Sequence, residues 1–189
     1  GTEFETQGME LPAGAMLKGN LTEFIPLDPG NLGEEQILTG EMKISISPVG
    51  DYEGLETPEV IGGVTLSGSA RNSAGLPLEP GGWKKIIFPH VAQSLDMKIF
   101  TGLAVWNTNS EVSEVTVRAW DKDGLLSGNK TFTLEPNQRR VGMLNEPWFF
   151  DSGFSQVGGH LEVTCARPVI AFCLYGDFEL EYLSTIGGQ

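Results

Sequence analysis

The first candidate for chemistry is a short acidic turn, Asp121-Lys122-Asp123-Gly124. Two carboxylates separated by one residue open the calcium loop of an EF-hand, which also needs an acidic ligand at its twelfth position. Counting from Asp121, that position is Phe132. The EF-hand motif therefore fails, whereas Asp followed by Gly is typical of a hairpin turn. We predict a hairpin turn, with a metal ion at Asp121 and Asp123 as the alternative.

The four tryptophans are the second candidate, because an exposed indole ring can stack on a sugar ring. Side-chain alternation along the run 115–120 places Trp120 on the side of Thr116 and Arg118, and this polar face predicts exposure. Trp148 follows Pro147, and we expect it in a loop that closes one end of the fold. Trp120 and Trp148 are therefore the candidate ligand-binding residues. Packing in the core is the alternative, since Trp is largely apolar.

Histidine and cysteine form no zinc or nucleophile pattern. His90 and His160 are 70 residues apart, and neither has a second Cys or His at ligand spacing. Cys165 and Cys173 flank Pro168. If the chain turns back as a hairpin around Pro168, the two thiols lie four residues out of register, about 13 Å apart. That distance excludes a disulfide, so we expect two free, mostly buried thiols.

Acidic residues supply the remaining enzymatic hypothesis, a hydrolase that uses Glu146, Asp151 and Asp177. Their spacing matches no catalytic motif, and the chain has no Gly-x-Ser-x-Gly elbow. Gly158-Gly159 lacks the Lys and Ser or Thr that complete a phosphate-binding loop. We therefore predict that the protein is not an enzyme and binds no cofactor.

Composition and charge limit the partners. The chain has 189 residues, of which 40% are hydrophobic, so it can bury a substantial core. Its formal net charge of −13 disfavours binding to nucleic acid and to an anionic membrane. The longest apolar run, Val169–Tyr175, is much shorter than the roughly 20 residues that span a bilayer. We predict no nucleic-acid partner and no membrane span in this chain.

The elements that would position these residues are strands. The 25 glycines and 11 prolines suit short strands joined by tight turns. Val169–Tyr175 is apolar at every position except its last, which predicts a central strand between two layers. Alternation of apolar and polar residues predicts the other strands at Met42–Ser47, Val64–Ser67, Leu103–Trp106, Val115–Trp120, Thr131–Leu134 and Leu161–Cys165.

An internal repeat organises the chain. Three landmarks occur in the same order in Leu11–Gly68 and in Leu134–Gly176. They are a Leu eight residues before a Gly, then a run of alternating apolar and polar residues after a Gly, then an apolar run after a Pro. Repeats of this kind usually build scaffolds and binding surfaces. We predict an incomplete β-sandwich repeat in residues 1–80 and a complete one in residues 81–189, with the seam in the Pro- and Gly-rich stretch Pro77–Gly82.

A further series of landmarks occurs in a specific order: Phe88–Ala92, Thr101–Asn107, Asp121–Gly124, Leu134–Pro136, Gly159–Val163 and Pro168–Asp177. In this order they resemble a β-sandwich repeat of uncharacterised secreted or surface-associated bacterial proteins. The resemblance covers residues 88 to 186 and, without the opening strands, residues 11 to 78. It implies an all-β sandwich in an extracellular or cell-envelope protein, and it implies no catalytic residues.

Together these observations predict an all-β protein, a β-sandwich of two similar halves with few or no helices. The predicted function is that of a non-enzymatic structural or adhesive module in a bacterial cell-surface or secreted protein. Its partner would be a protein or a polysaccharide at the cell surface. The first alternative is a carbohydrate-binding module using exposed Trp residues, and the second is a hydrolase using the acidic residues.

Overall fold

The computed structural model describes residues 10–12, 15–19, 23, 63–67, 73–77, 79, 81–179 and 181–187. The chain divides into two compact units, Gly1–Val60 and Ile61–Gln189. The predicted strand Met42–Ser47 lies outside the described residues, as does most of the predicted first repeat. The division of the chain into repeats at residue 80 therefore stays a prediction.

The described residues are essentially all-β, as the sequence predicts. Their strands are β1 (Gly63–Ser67), β2 (Ser73–Pro77), β3 (Trp83–Phe88), β4 (Ala92–Gln93), β5 (Ile99–Trp106), β6 (Ser113–Trp120), β7 (Leu126–Leu134), β8 (Arg139–Met143), β9 (Gln156–Val157), β10 (His160–Asp177) and β11 (Leu183–Gly187). Within this part of the chain, no helix has the length and apolar character that a bilayer crossing requires.

One long strand, β10, holds the curled main sheet together. This sheet has seven strands in the order β7-β6-β10-β5-β8, and β3 and β11 also pair with β10. The first part of β10 lies between β6 and β3, and its last part lies between β5 and β11. All these pairings are antiparallel. Two small ladders, β1 with β2 and β4 with β9, complete the described strands.

The predicted hairpin around Pro168 is wrong, because the chain continues through it as part of β10. The pairing of β10 with β3 shifts register between Thr164 and Val169. Side chains satisfy the backbone at this irregularity: the Ser113 hydroxyl donates to the Arg167 carbonyl at 3.0 Å and accepts from the Arg167 N–H at 3.1 Å. The strand therefore changes neighbours without reversing. Both cysteines are nevertheless free, as predicted.

The hydrophobic core is formed by aliphatic and aromatic side chains, most of which come from the strands of the main sheet. Its largest fully buried hydrophobic side chains are Phe88, Phe149, Ile86, Leu103, Leu134, Leu144 and Leu161. In the predicted central strand, Val169, Ala171, Cys173 and Tyr175 are buried, and the residues between them are only half-buried. The expectation that both faces of this strand are buried therefore holds for one face only.

Candidate functional site

The outward face of β6 carries the predicted polar surface. Val115, Val117 and Ala119 are fully buried, whereas the alternating residues are half-buried and point away from the core. Trp120 and Arg118 are among these outward residues, as side-chain alternation predicts, although Trp120 is half-buried and not fully exposed. The burial of one face of β6 therefore presents Trp120 on the opposite side of the sheet.

Strand register aligns these outward residues into rows across β10, β6 and β7. The three rows are His160, Trp120 and Leu126; Glu162, Arg118 and Asn129; and Thr164, Thr116 and Thr131. We call this surface the Trp120 face. The imidazole of His160 and the indole of Trp120 lie within 15° of parallel, with ring centroids 6.4 Å apart. An aromatic row therefore adjoins a charged row, and the charged row adjoins a row of hydroxyls.

The charged row contains a carboxylate shared by two cations. One oxygen of Glu162 is 2.7 Å from Lys85 Nζ, and the other accepts a hydrogen bond from Arg118 Nη1 at 3.2 Å. The hydrogen bond from Lys85, followed by its charge and by Arg118, lowers the pKa of Glu162 against the opposing effect of desolvation. Only 17% of the Glu162 side chain is exposed, so water screens this cluster less than a surface pair. The cluster joins three adjacent strands.

Glu162→Gln should lower the free energy of unfolding by about 1 kcal/mol at neutral pH, the upper end of what such ion pairs contribute. The pKa of Glu162 is lower in the folded state than its ordinary value of 4.5. Its charge therefore stabilises the fold above that value, and this stabilisation disappears as the pH falls through the lower, folded-state pKa. Urea unfolding at several pH values measures the difference between the variant and the parent protein.

The control for this prediction is Glu114→Gln, which changes an exposed carboxylate on β6 and should alter stability by no more than about 0.5 kcal/mol. The difference between Glu162→Gln and the parent protein should shrink between about pH 5 and pH 3. A difference of the same size at pH 3 and pH 7 would show that Glu162 acts through packing and not through its charge.

A buried amide holds the backbone beneath Trp120. Gln156 is 8% exposed, and its Nε2 donates to the carbonyls of Trp120 at 2.9 Å and Gly158 at 2.7 Å. The Ser127 hydroxyl lies within hydrogen-bond distance of Oε1 of Gln156 and of the Ala119 carbonyl on β6, so these two acceptors share its single proton. Gln156 therefore holds the backbone of Trp120, the last residue of β6, in place. No sequence pattern indicated this role, because it depends on contacts between distant segments.

The acidic turn between β6 and β7 is a hairpin turn, as predicted. Oδ1 of Asp121 accepts hydrogen bonds from the N–H groups of Asp123 and Leu125, both at 2.9 Å. Gly124 adopts a φ of 79°, and the Asp123 carboxylate lies 2.7 Å from Lys122 Nζ. Across the described ranges, no group of three or more His, Cys, Asp and Glu is arranged to hold a metal ion. A metal ion at Asp121 and Asp123 stays an untested alternative.

Trp148 lies apart from the Trp120 face. It follows β8, close to Gly142 of that strand, whereas Trp120 is on β6, and β10 and β5 separate β6 from β8 in the sheet. Trp148 is 53% exposed, and its indole N–H donates to Oε2 of Glu146. Oε1 of Glu146 accepts from the Met143 N–H at 3.0 Å. Trp148 is therefore exposed and Trp120 half-buried, and the two candidate tryptophans do not form one site.

The acidic residues of the hydrolase hypothesis are engaged in local turns. Glu146 supports the turn after β8, and its carbonyl accepts a hydrogen bond from the Asp151 N–H at 3.3 Å. Asp177 ends β10, and its Oδ1 accepts from the Glu181 N–H at 2.8 Å. The hydrolase that would use these three residues stays an untested alternative to the predicted non-enzymatic function.

The two thiols are poor nucleophiles in this environment. Burial raises the pKa of Cys165 and, much more strongly, that of the fully buried Cys173. Because the thiolate is the reactive form, a raised pKa lowers reactivity at neutral pH. The Cys165 thiol donates to the carbonyl of Trp83 at 3.1 Å, which is a structural contact. These residues therefore belong to the packing of β10.

Comparison with known proteins does not assign this chain to a protein family. No protein-family model matches the chain, and no curated protein matches it. A solved structure described as the crystal structure of Thermotoga maritima 1070 aligns with 57% of this chain and 94% of its own length. The alignment has a TM-score of 0.45 and 16% sequence identity, and at this level it supports no functional argument.

Proposed function

We propose that this chain is a non-enzymatic adhesive module of a bacterial cell-surface or secreted protein, built as a β-sandwich of two similar repeats. The observation that carries the proposal is the Trp120 face, where aromatic, charged and hydroxyl rows lie side by side on the outward, partly exposed side of the sheet. Such a surface offers both apolar contact and hydrogen bonding to an extended partner. The predicted location is extracellular or in the cell envelope.

A polysaccharide is the partner that the aromatic row favours. The negative π face of Trp120 attracts the polarised C–H groups of a sugar ring. The neighbouring row supplies a guanidinium on Arg118, an amide on Asn129 and a carboxylate on Glu162, which together donate to and accept from sugar hydroxyls. A carbohydrate-binding module is therefore the second candidate function, and it is a more specific form of the first.

Trp120→Ala should weaken polysaccharide binding about tenfold, equivalent to roughly 1.4 kcal/mol. Binding is measured first as the rise in melting temperature with a panel of oligosaccharides, with and without calcium, and then as retention on the polysaccharide that gives a response. Trp148→Ala is the matched control, because it removes an equally large exposed side chain that lies away from the Trp120 face.

If Trp148→Ala loses retention and Trp120→Ala does not, the sugar site lies in the loop after β8 and not on the Trp120 face. No response to any oligosaccharide would reject the carbohydrate-binding form of the proposal. In that case, adhesion to a protein is tested by measuring whether Trp120→Ala reduces attachment of beads carrying the protein to bacterial cell surfaces. Attachment that the Trp120→Ala and Glu162→Gln variants leave unchanged would reject the Trp120 face as an adhesive surface.

A further inference from the structure

Two turns at the C-terminal end of β10, away from His160, carry a second set of exposed side chains. One turn precedes β5, and the other connects β10 to β11. The Phe178 N–H donates to the carbonyl of Lys98 at 3.0 Å, and Lys98 Nζ lies 2.6 Å from Oε1 of Glu179. A backbone hydrogen bond and an ion pair therefore hold the two turns against each other.

Both turns are internally ordered. In the first, Ser94 and Ile99 exchange two backbone hydrogen bonds of 2.9 and 3.0 Å, and the Lys98 N–H donates to the Leu95 carbonyl at 3.1 Å. In the second, the carboxylate of Asp177 accepts from a backbone N–H within the turn at 2.8 Å. The side chains on these turns are therefore presented on a defined scaffold.

These turns expose large hydrophobic side chains to solvent. The exposed fractions are 58% for Leu95, 62% for Met97, 42% for Phe178 and 56% for Tyr182. Phe178 also packs at a tilt against Phe100, with ring centroids 5.7 Å apart. We call these four exposed residues the loop-tip patch. Grouped hydrophobic side chains at loop tips mark an interaction surface more often than isolated ones do, and Met, Phe and Tyr are enriched in protein interfaces.

Acidic residues lie on the same two turns as the loop-tip patch. The two turns carry four carboxylates and one ammonium group, which gives a local formal charge of 1 − 4 = −3. The ammonium, on Lys98, is already paired with Glu179. The remaining carboxylates are those of Asp96, Asp177 and Glu181. A partner that buries the apolar side chains must therefore place positive charge around them.

We propose that the loop-tip patch is a docking surface for a protein that presents an apolar centre bordered by Lys and Arg. An anionic bilayer is the other surface that apolar loop tips suit, and these carboxylates would be repelled by it. The Trp120 face includes His160 at the start of β10, whereas the loop-tip patch adjoins Asp177 at its end. The two surfaces can therefore be occupied together, so that the module links two partners.

The test uses two synthetic peptides with the same Leu and Trp residues, one flanked by Lys and the other by Glu. Binding to the full chain is measured by fluorescence anisotropy at low and high salt, and the contact surface is mapped from amide NMR shifts. The Lys peptide should bind, should shift the amides of residues 95–100 and 177–183, and should bind at least tenfold more weakly at high salt. The Glu peptide should not bind.

The variant that removes the apolar centre is the double substitution Met97→Ser and Phe178→Ser, which should weaken binding of the Lys peptide at least tenfold. Because Phe178 also packs on Phe100, the pair Leu95→Ser and Met97→Ser provides a second variant confined to one exposed turn. The matched control is Val141→Ser, since Val141 is 59% exposed on β8, a different part of the sheet. It should bind the peptide within twofold of the parent protein.

Several outcomes would overturn the proposal. These are absence of binding by the Lys peptide, equal binding of the Glu peptide, and unchanged binding by both patch variants. Tighter binding of the protein to vesicles of phosphatidylcholine with phosphatidylserine than to the Lys peptide would assign the patch to a membrane instead. Trp120→Ala should leave peptide binding unchanged, so failure here is distinguishable from failure of the Trp120 face as an adhesive surface.

Discussion

Gly159→Ala should destabilise the protein by about 3 kcal/mol or more, because the site forbids a side chain for two independent reasons. A Cβ atom on Gly159 would lie 2.0 Å from the carbonyl oxygen of Trp120 and 2.7 Å from the carbonyl carbon of Asp121. Both are backbone atoms, so no side chain can rotate away. Gly159 also has a φ of 77°, a left-handed conformation that costs L-residues energy. Equilibrium urea unfolding measures the effect.

The adjacent glycine provides the matched control. Gly158 has a φ of 90°, but its nearest contact for a Cβ is a side-chain carbon of Lys122 at 3.7 Å. Gly158→Ala therefore incurs the conformational cost alone, about 1–2 kcal/mol. Gly153→Ala, where a Cβ would meet no atom within 4 Å, should be nearly neutral. Equal losses of stability in Gly158→Ala and Gly159→Ala would contradict the steric argument.

This prediction also bears on the Trp120 face. Gly159 joins β9 to β10 and allows the backbone to pass directly behind Trp120 before His160 begins the strand. If the substitution forces these segments apart, the pairing of His160 with Trp120 is lost at the same time. A folded Gly159→Ala variant should therefore show weaker adhesion together with lower stability, whereas Gly158→Ala should retain adhesion.

The parts of this fold that sequence predicts are local. Alternation along Val115–Trp120 predicts most of β6 and the outward position of Trp120, because the period of side chains in a strand is fixed by its backbone. The Asp121–Gly124 turn is predictable for the same reason, since its hydrogen bonds join residues no more than four apart. Both features follow from short-range geometry.

Strand pairing cannot be predicted from local patterns in this sequence. The hairpin expected around Pro168 rested on Pro as a break in the chain, but Ser113 and Asn109 supply hydrogen-bond partners for Arg167 and Pro168 from 54 and 59 residues away. The alignment of Glu162 with Arg118 similarly joins positions 44 residues apart. A register of this kind is set by packing across the whole sheet, and no local pattern encodes it.

The candidate site divides in the same way. The accessibility of Trp120 was predictable from its own strand, and the proximity of His160 was not, because His160 lies on β10. The bond from Trp148 to Glu146 connects residues two apart, yet a sequence does not show which acceptor an indole chooses. The sequence therefore predicts which individual residues are candidates, whereas strand register decides that Trp120 lies beside His160 on one surface.

A second large effect is expected at Asn107, which in the sequence is only the last residue of the landmark Thr101–Asn107. Asn107 is fully buried. The two hydrogens of its amide nitrogen are shared among three carbonyls, those of Glu111 at 2.9 Å and of Leu134 and Glu135 at 3.1 Å. Its Oδ1 accepts from the backbone and the side chain of Asn109, which in turn donates to the Pro168 carbonyl. Asn107 thus ties its own loop to the end of β7 and, through Asn109, to β10.

Asn107→Ala should reduce the free energy of unfolding by about 3 kcal/mol, because buried carbonyls that lose their donor keep their desolvation cost. Asn107→Asp should be worse still, since a carboxylate cannot donate and its charge would face those carbonyls. Asn109→Ala, which removes a half-buried amide, should cost about 1 kcal/mol. Thr108→Ala, at an exposed position between them, should change stability by less than about 0.5 kcal/mol.

The order of these losses, measured by urea unfolding at constant pH, distinguishes a donor network from simple packing. If Asn107 acts only by filling space, Asn107→Asp should be milder than Asn107→Ala, because Asp preserves nearly all of the side-chain volume. If the donated hydrogen bonds matter, the order reverses. Because Asn109 reaches Pro168, loss of the network should also loosen the irregular segment of β10, where the strand passes from one set of neighbours to the other. Hydrogen exchange at Val169 and Ile170 should then accelerate more in Asn107→Asp than in Thr108→Ala.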